Sequence, residues 1–131
     1  TEITIAEVAE IPLILPTNSH GLRRRVVAEF DRRMLSPLIV AEIDSLSLLM
    51  SCVFDGMGAT IKPMSALQLE SERGRDWRAL RIADATITRR NYLYSIAPSL
   101  MSPAALSVAR EIRETAAALV ADGRWQGVWP I

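Results

Sequence analysis

Three short stretches carry the side chains best suited to chemistry. Thr17-Asn18-Ser19-His20 places two hydroxyls, an amide and the chain's single imidazole just before a Gly-Leu-Arg sequence that opens a helix. At a positive helix end with free backbone N–H groups, these donors suit a small carboxylate. Plain capping by Asn18 or Ser19, both preferred N-cap types, accounts for the same residues, and His20 reads as a capping or surface residue. Asp44-Ser45 has the same double character, capping a helix and standing at a strand end. Lys62 is the only lysine in a chain whose other basic side chains are all arginine. At the carboxyl end of a strand it can meet an anionic ligand, pair with Asp44, or stay solvated. Pro63 and Ser65 follow it on the same edge.

Other groups point to no reaction. Cys52 and His20 are a thiol and a base, yet Cys52 falls inside a helical pattern and no third group orients the pair. No spacing of Cys, His and carboxylates suits a metal. Gly56-Met57-Gly58 lacks the third glycine of a dinucleotide fingerprint and closes a helix instead of opening one, so it reads as a turn. The cluster Arg23-Arg24-Arg25 with Arg32-Arg33 raises phosphate binding, but an amphipathic helix usually shows such a face to water or to a subunit. Trp125 and Trp129 could stack on a ligand, though packing against another subdomain is the expectation. No catalytic residue, metal or cofactor is expected.

The elements that must position these residues can be read from period and punctuation. Leu46, Leu49, Met50, Val53 and Phe54 follow the spacing of a helix with one buried stripe. Asp44 or Ser45 caps it, and Gly56 suits the left-handed residue that ends it. Leu38-Ile39-Val40 leads in and Ala59-Thr60-Ile61 leads out, a βαβ unit with parallel strands. Strand ends that precede helices share one edge, where ligands bind in open α/β sheets.

Upstream, Thr4-Ile5-Ala6-Glu7 has the form of a capping box, with a helical turn to about Ala9. Ile11 to Leu15 is a buried-strand candidate, and Leu22 to about Met34 an amphipathic helix with Leu22, Val26, Val27, Phe30 and Met34 on its inner face. Downstream come a short helix from Met64 to Glu72, a turn at Gly74, an edge strand at Trp77 to Ile82, and a strand at Asn91 to Ile96. A helix capped by Ser102-Pro103 runs to about Asp122 with Leu106, Ala109, Ile112, Ala116, Leu119 and Val120 as its stripe.

At 131 residues the chain can build one real core but not two independent ones. Lys plus Arg and Asp plus Glu are 15 each, so the basic excess that holds proteins to nucleic acid phosphates is absent. One cysteine rules out an internal disulfide framework and suits a reducing compartment. No apolar run spans a bilayer and no leader pattern opens the chain, so a cytoplasmic protein without membrane contact is expected. The start at Thr1-Glu2-Ile3 reads as that of an excised fragment.

An acidic residue, Asp44-Ser45, an apolar helix, Gly56-Met57-Gly58, an apolar pair and Pro63 together resemble the effector-binding domain of LysR-type transcriptional regulators. The stretch from Ala6 to Leu15 is similar to the family's entry into its second subdomain, and Gly21-Leu22-Arg23 opens the next helix in its manner. Arg90-Asn91-Tyr92-Leu93-Tyr94 with Leu100-Met101-Ser102-Pro103-Ala104-Ala105 resembles its return strand and last helix. Lys62 departs from the pattern, since an apolar residue usually precedes that proline.

The resemblance implies an α/β fold: an open, mainly parallel sheet with helices on both faces, a type 2 periplasmic-binding-protein-like subdomain. It implies a linker turn at 1–10, a second effector subdomain at 11–90, and a return strand, helix and tail at 91–131 that belong to the first subdomain. A small effector, expected to be a carboxylate, would sit at Thr17, Asn18, Ser19, Asp44, Lys62 and Pro63. DNA would be bound only through a winged helix-turn-helix outside this chain, in a homo-oligomer. The segment from Tyr92 and the helix from Pro103 would pack back on the chain or pair with another copy. A transport solute-binding protein of the same fold is the alternative, and a small α/β enzyme a third reading.

Overall fold

The computed structural model describes residues 2–66 and 78–129. The described residues fall into two units, 2–62 with 78–89 and 63–66 with 90–129.

The first unit is built on a strand with no exposed residue. Strand β1 is Glu2–Ile3, α1 is Ile5–Ala9, and β2 is Leu13–Leu15, all three of whose residues are buried. Helix α2 is Gly21–Arg32, β3 is Ile39–Glu42, α3 is Leu46–Phe54 and β4 is Arg81–Ile82. Strand β2 pairs in parallel with β3, and Leu13 forms an isolated parallel bridge to Ala59. Its backbone serves both neighbours: Leu13 N–H donates to Leu38 O at 2.8 Å and Ile14 N–H to Ala59 O at 2.8 Å.

The strand expected at Ala59-Thr60-Ile61 is thus a single bridge. In this register the next donor to that side is residue 16, a proline without an N–H, so the ladder stops there. Its start is equally constrained. Gly56 takes a φ of +77°, and a Cβ on Gly58 would lie 2.6 Å from Pro12 O, the atom that accepts from Ala59 N–H at 2.8 Å. The first glycine makes the turn and the second admits the close approach.

Leu13 and Leu15 join Ile5, Val8, Ala9, Leu22, Val26 and Phe30 in one core cluster, with Ile39, Ala59, Ile61 and Ile87 packed against it. Ile14 is buried too, and α3, whose Leu49 and Met50 are buried, packs against β2. The capping box forms as expected: Glu7 N–H donates to Thr4 Oγ1 at 3.3 Å and Thr4 N–H to Glu7 Oε2 at 2.8 Å. The sequence gives no signal for β1, which pairs in parallel with β4. Asp84 then accepts from Ile5 N–H at 2.8 Å, fastening the first turn of α1.

Two expectations for α2 fail. Met34 does not extend the inner stripe: the helix ends at Arg32, and Met34, at φ 55°, is 95% exposed. Arg23, expected in water or at a subunit contact, is buried instead. It sits three, four and seven residues before Val26, Val27 and Phe30, on the buried stripe itself.

In the second unit a 3-10 turn at Pro98–Leu100 precedes α4, Pro103–Ala121, with Ser102 Oγ accepting from Ala105 N–H at 3.2 Å. Gly123, at φ +67°, follows the end of α4. The strand expected at Asn91 to Ile96 does not form, and these residues are exposed, Tyr94 by 85%. A strand needs a neighbour for its N–H and C=O groups, and none of the described residues supplies one. The stripe of α4 is likewise open: Leu106 and Ile112 are exposed, and Ala109 alone in the helix is buried. The helix expected from Met64 is seen at 64–66, and its remainder, Gly74 and Trp77 lie outside the described residues.

Gly58→Ala should lower stability by about 1–3 kcal/mol, the usual cost of overpacking, because backbone must move to admit the methyl. Urea unfolding monitored by tryptophan fluorescence checks it; an unchanged midpoint would show that the approach to Pro12 carries no weight.

Candidate functional site

Parallel pairing brings the turns after β2 and β3 to the same end of the sheet. There Thr17 donates its N–H to Asp44 Oδ1 at 2.9 Å, and its hydroxyl lies 3.0 and 2.9 Å from the two Asp44 oxygens. Ser19 Oγ stands 2.9 Å from Thr17 Oγ1. The donors read as suited to a ligand carboxylate are therefore given to an internal one. Backbone and then hydroxyl donation from Thr17 hold the Asp44 carboxyl below its ordinary value of 3.8, with His20 adding a smaller electrostatic pull the same way.

Capping is divided differently from either expected assignment. His20, not Asn18 or Ser19, caps α2: its Nδ1 accepts from Leu22 N–H at 3.2 Å, which requires that nitrogen to be unprotonated. The loop closes in a turn, with His20 N–H donating to Thr17 O at 3.0 Å, and Asn18 is exposed. At the second turn Ser45, one of the two expected caps, accepts from Leu48 N–H at 3.5 Å. This leaves Asp44 to reach across to Thr17.

Lys62 is half-buried and makes no hydrogen bond or ion pair among the described residues. Asp44 is occupied by Thr17, so the pairing of Lys62 with Asp44 is not formed. Burial, and secondarily the positive charge of Arg89, lower the Lys62 ammonium below its ordinary 10.5. Pro63 begins the second unit.

Sequence reasoning missed a buried ion pair behind this edge. Arg23 Nη2 lies 3.1 Å from Glu42 Oε1, while its Nε and Nη1 are enclosed without a partner. Leu13 pairs with Ile39 and Leu15 with Glu42, so β3 holds one residue more than β2 between those positions. A bulge of this kind re-aims a side chain. Here it puts Glu42 on the side of Leu15, where α2 delivers Arg23. Nothing in the apolar alternation announces it, whereas Arg23 was findable from its place on the helical stripe.

Cys52 is half-buried in α3, and among the described residues no group of three His, Cys, Asp or Glu side chains could hold a metal. No helix among them is long and apolar enough to cross a membrane.

Comparison with known proteins gives a family match over residues 1–117, to the LysR substrate binding domain. The chain is 34% identical over 106 residues to the nitrogen assimilation regulatory protein nac of Klebsiella aerogenes, covering 81% of this chain and 34% of that protein. It is 26% identical over 125 residues to the protein of that name in Escherichia coli (strain K12), covering 95% and 41%. With the HTH-type transcriptional regulator BsdA of Bacillus subtilis (strain 168) it shares 37% over 67 residues, covering 50% and 23%. The chain therefore spans less than half the length of the curated relatives it matches. No solved structure matches it.

A carboxylate held by donors is stabilised above its unfolded pKa, and that stabilisation is lost as pH falls through the lower native value. Carboxyl-carbon NMR should find Asp44 titrating below 3.8, and Thr17→Val should move it part of the way back, since the backbone donor survives. An unshifted Asp44 in the parent chain would deny the link between the two turns.

Proposed function

Because the chain belongs to the LysR substrate-binding domain family, whose members are transcriptional regulators, we propose that its first unit supplies one wall of an effector site for a small anionic metabolite, a carboxylate above all. The observation that carries this reading is Lys62, a half-buried ammonium at the ligand-bearing edge with no counter-charge among the described residues. Burying an unpaired charge is costly, and an arriving anion removes that cost. Asp44 assigns the polarity of the edge. An anion at Thr17 would face a carboxylate, so the negative part of the effector belongs near Lys62. Thr17, Asn18, Ser19 and Asp44 meet its neutral or donor groups, and Pro63 shapes the end next to Lys62.

The sheet is read as part of an open, mainly parallel sheet with helices on both faces, of the type 2 periplasmic-binding-protein kind. Support comes from the parallel pairing of β2 on both sides and from its burial on both. The linker, second-subdomain and return segments at 1–10, 11–90 and 91–131 remain the proposed division. The protein is noncatalytic and cytoplasmic in this reading, and reaches DNA through a helix-turn-helix beyond these residues, as the printed name of the Bacillus relative suggests. The open stripe of α4 supports a homo-oligomer. The regulators among the relatives favour this reading over a transport solute-binding protein.

To switch anything, the effector must bind one arrangement of the regulator better than another. A thermal-shift screen of small carboxylic acids tests the first requirement, because a ligand of the folded state raises the melting temperature. At least one acid should do so, with Lys62→Ala weakening it about tenfold or more, the equivalent of about 1.4 kcal/mol. A hit that Lys62→Ala leaves intact would move the anion elsewhere, and no hit at all would remove the carboxylate.

A further inference from the structure

We infer that the ligand taken at Lys62 carries two negative charges, one met by Lys62 and the other by Arg89 of the same unit. The inference rests on the effector reading above and narrows its ligand class to dianions.

Packing brings the two cations together. Ile61 and Ile87 both lie against the core cluster of Leu13, Leu15 and Phe30, so the segments that leave them carry Lys62 and Arg89 out from one place. They are close enough for Arg89 to disfavour the charged form of Lys62. Elsewhere in this unit the fold matches its cations. Arg23 meets Glu42, Arg33 meets Glu29, and Arg81 Nε meets Glu2 Oε1 at 3.0 Å. Lys62 and Arg89 are near each other, and neither has a hydrogen bond or ion pair among the described residues.

The cost of that arrangement has two parts, the partial burial of one ammonium and the repulsion between like charges. A monoanion at Lys62 relieves the first and leaves Arg89 unmatched. A dianion relieves both. The two heads also differ in shape: the planar guanidinium suits a carboxylate in a fork, and the ammonium acts as a compact point charge. A dicarboxylate with one end on each satisfies both.

The single lysine gives an unambiguous probe. With 13C-lysine incorporated, the Lys62 Cε resonance of the 131-residue chain can be followed as malonate, succinate or acetate is added at constant ionic strength. A dicarboxylate should give a saturable shift at least tenfold tighter than acetate, and Arg89→Gln should reduce it to the level of acetate. Arg89→Gln should also raise the Lys62 pKa in the absence of added anion, which verifies the proximity apart from any ligand. Equal binding of acetate and dicarboxylate, or a dicarboxylate affinity unchanged in Arg89→Gln, overturns the dianion and leaves a singly charged effector standing. An absence of any saturable shift also overturns it; if the acid screen is empty as well, the effector reading falls with it.

Discussion

Strand β2 has three residues, no exposure, and a peptide backbone that must still find partners on both sides. An unpaired buried N–H or C=O costs as much as a lost hydrogen bond, so Leu13–Leu15 can be buried only between two neighbours. Leu13 N–H goes to the β3 side, Ile14 N–H to the Ala59 side, and Leu15 O accepts from Ile43 N–H at 2.9 Å. Both neighbours run in the direction of β2. The turns after β2 and β3 therefore open at one end, close enough for Thr17 to bond Asp44. Antiparallel pairing on the β3 side would have sent Asp44 to the opposite end.

The bulge in β3 belongs to the same constraint. Regular pairing beyond Leu13 and Ile39 would set Ala41 beside Leu15, giving α2 a wholly apolar floor. The extra residue sets Glu42 there instead. Arg23 can then enter the stripe of α2 and still meet a carboxylate at 3.1 Å. Buried ion pairs of this kind seldom add much net stability, but breaking one leaves a charge stranded. Its physical effect is to fix the register of β3, hence where Ile43 and Asp44 emerge.

Much of the first unit was legible because its signals are local. The capping box at Thr4 and Glu7, the cap at Ser45 and the left-handed Gly56 each follow from a few adjacent residues, and each is present. What was not legible depended on distant partners. The bridge at Ala59 shrank because Pro16, far away in sequence, has no donor for it. Arg23 reads as a solvated arginine until Glu42 is placed opposite. The Asn91 to Ile96 run has the composition of a strand, but composition supplies no neighbour, and the chain there stays exposed. At the candidate site the residue types were readable, whereas their pairing was not: Thr17 and Asp44 are 27 positions apart, and no periodic signal links them.

That pairing separates the edge into two electrostatic halves. Thr17 spends its N–H and hydroxyl on Asp44, which keeps a negative charge at that turn through the whole physiological range, since its carboxyl is held below the usual aspartate value. Two carboxylates competing for those donors would repel, so the positive helix end of α2 is closed to an anion although its geometry alone invites one. On the other flank of β2, the segment after Ala59 ends in an ammonium whose burial makes its own charge unfavourable. Neighbouring strands lie about 4.8 Å apart, so the two flanks are separated by roughly twice that distance. A molecule the size of a small metabolite can meet both only if its negative end lies toward Lys62 and its uncharged or donor end toward Asp44. The polarity of the edge, more than any single contact on it, limits what can bind there.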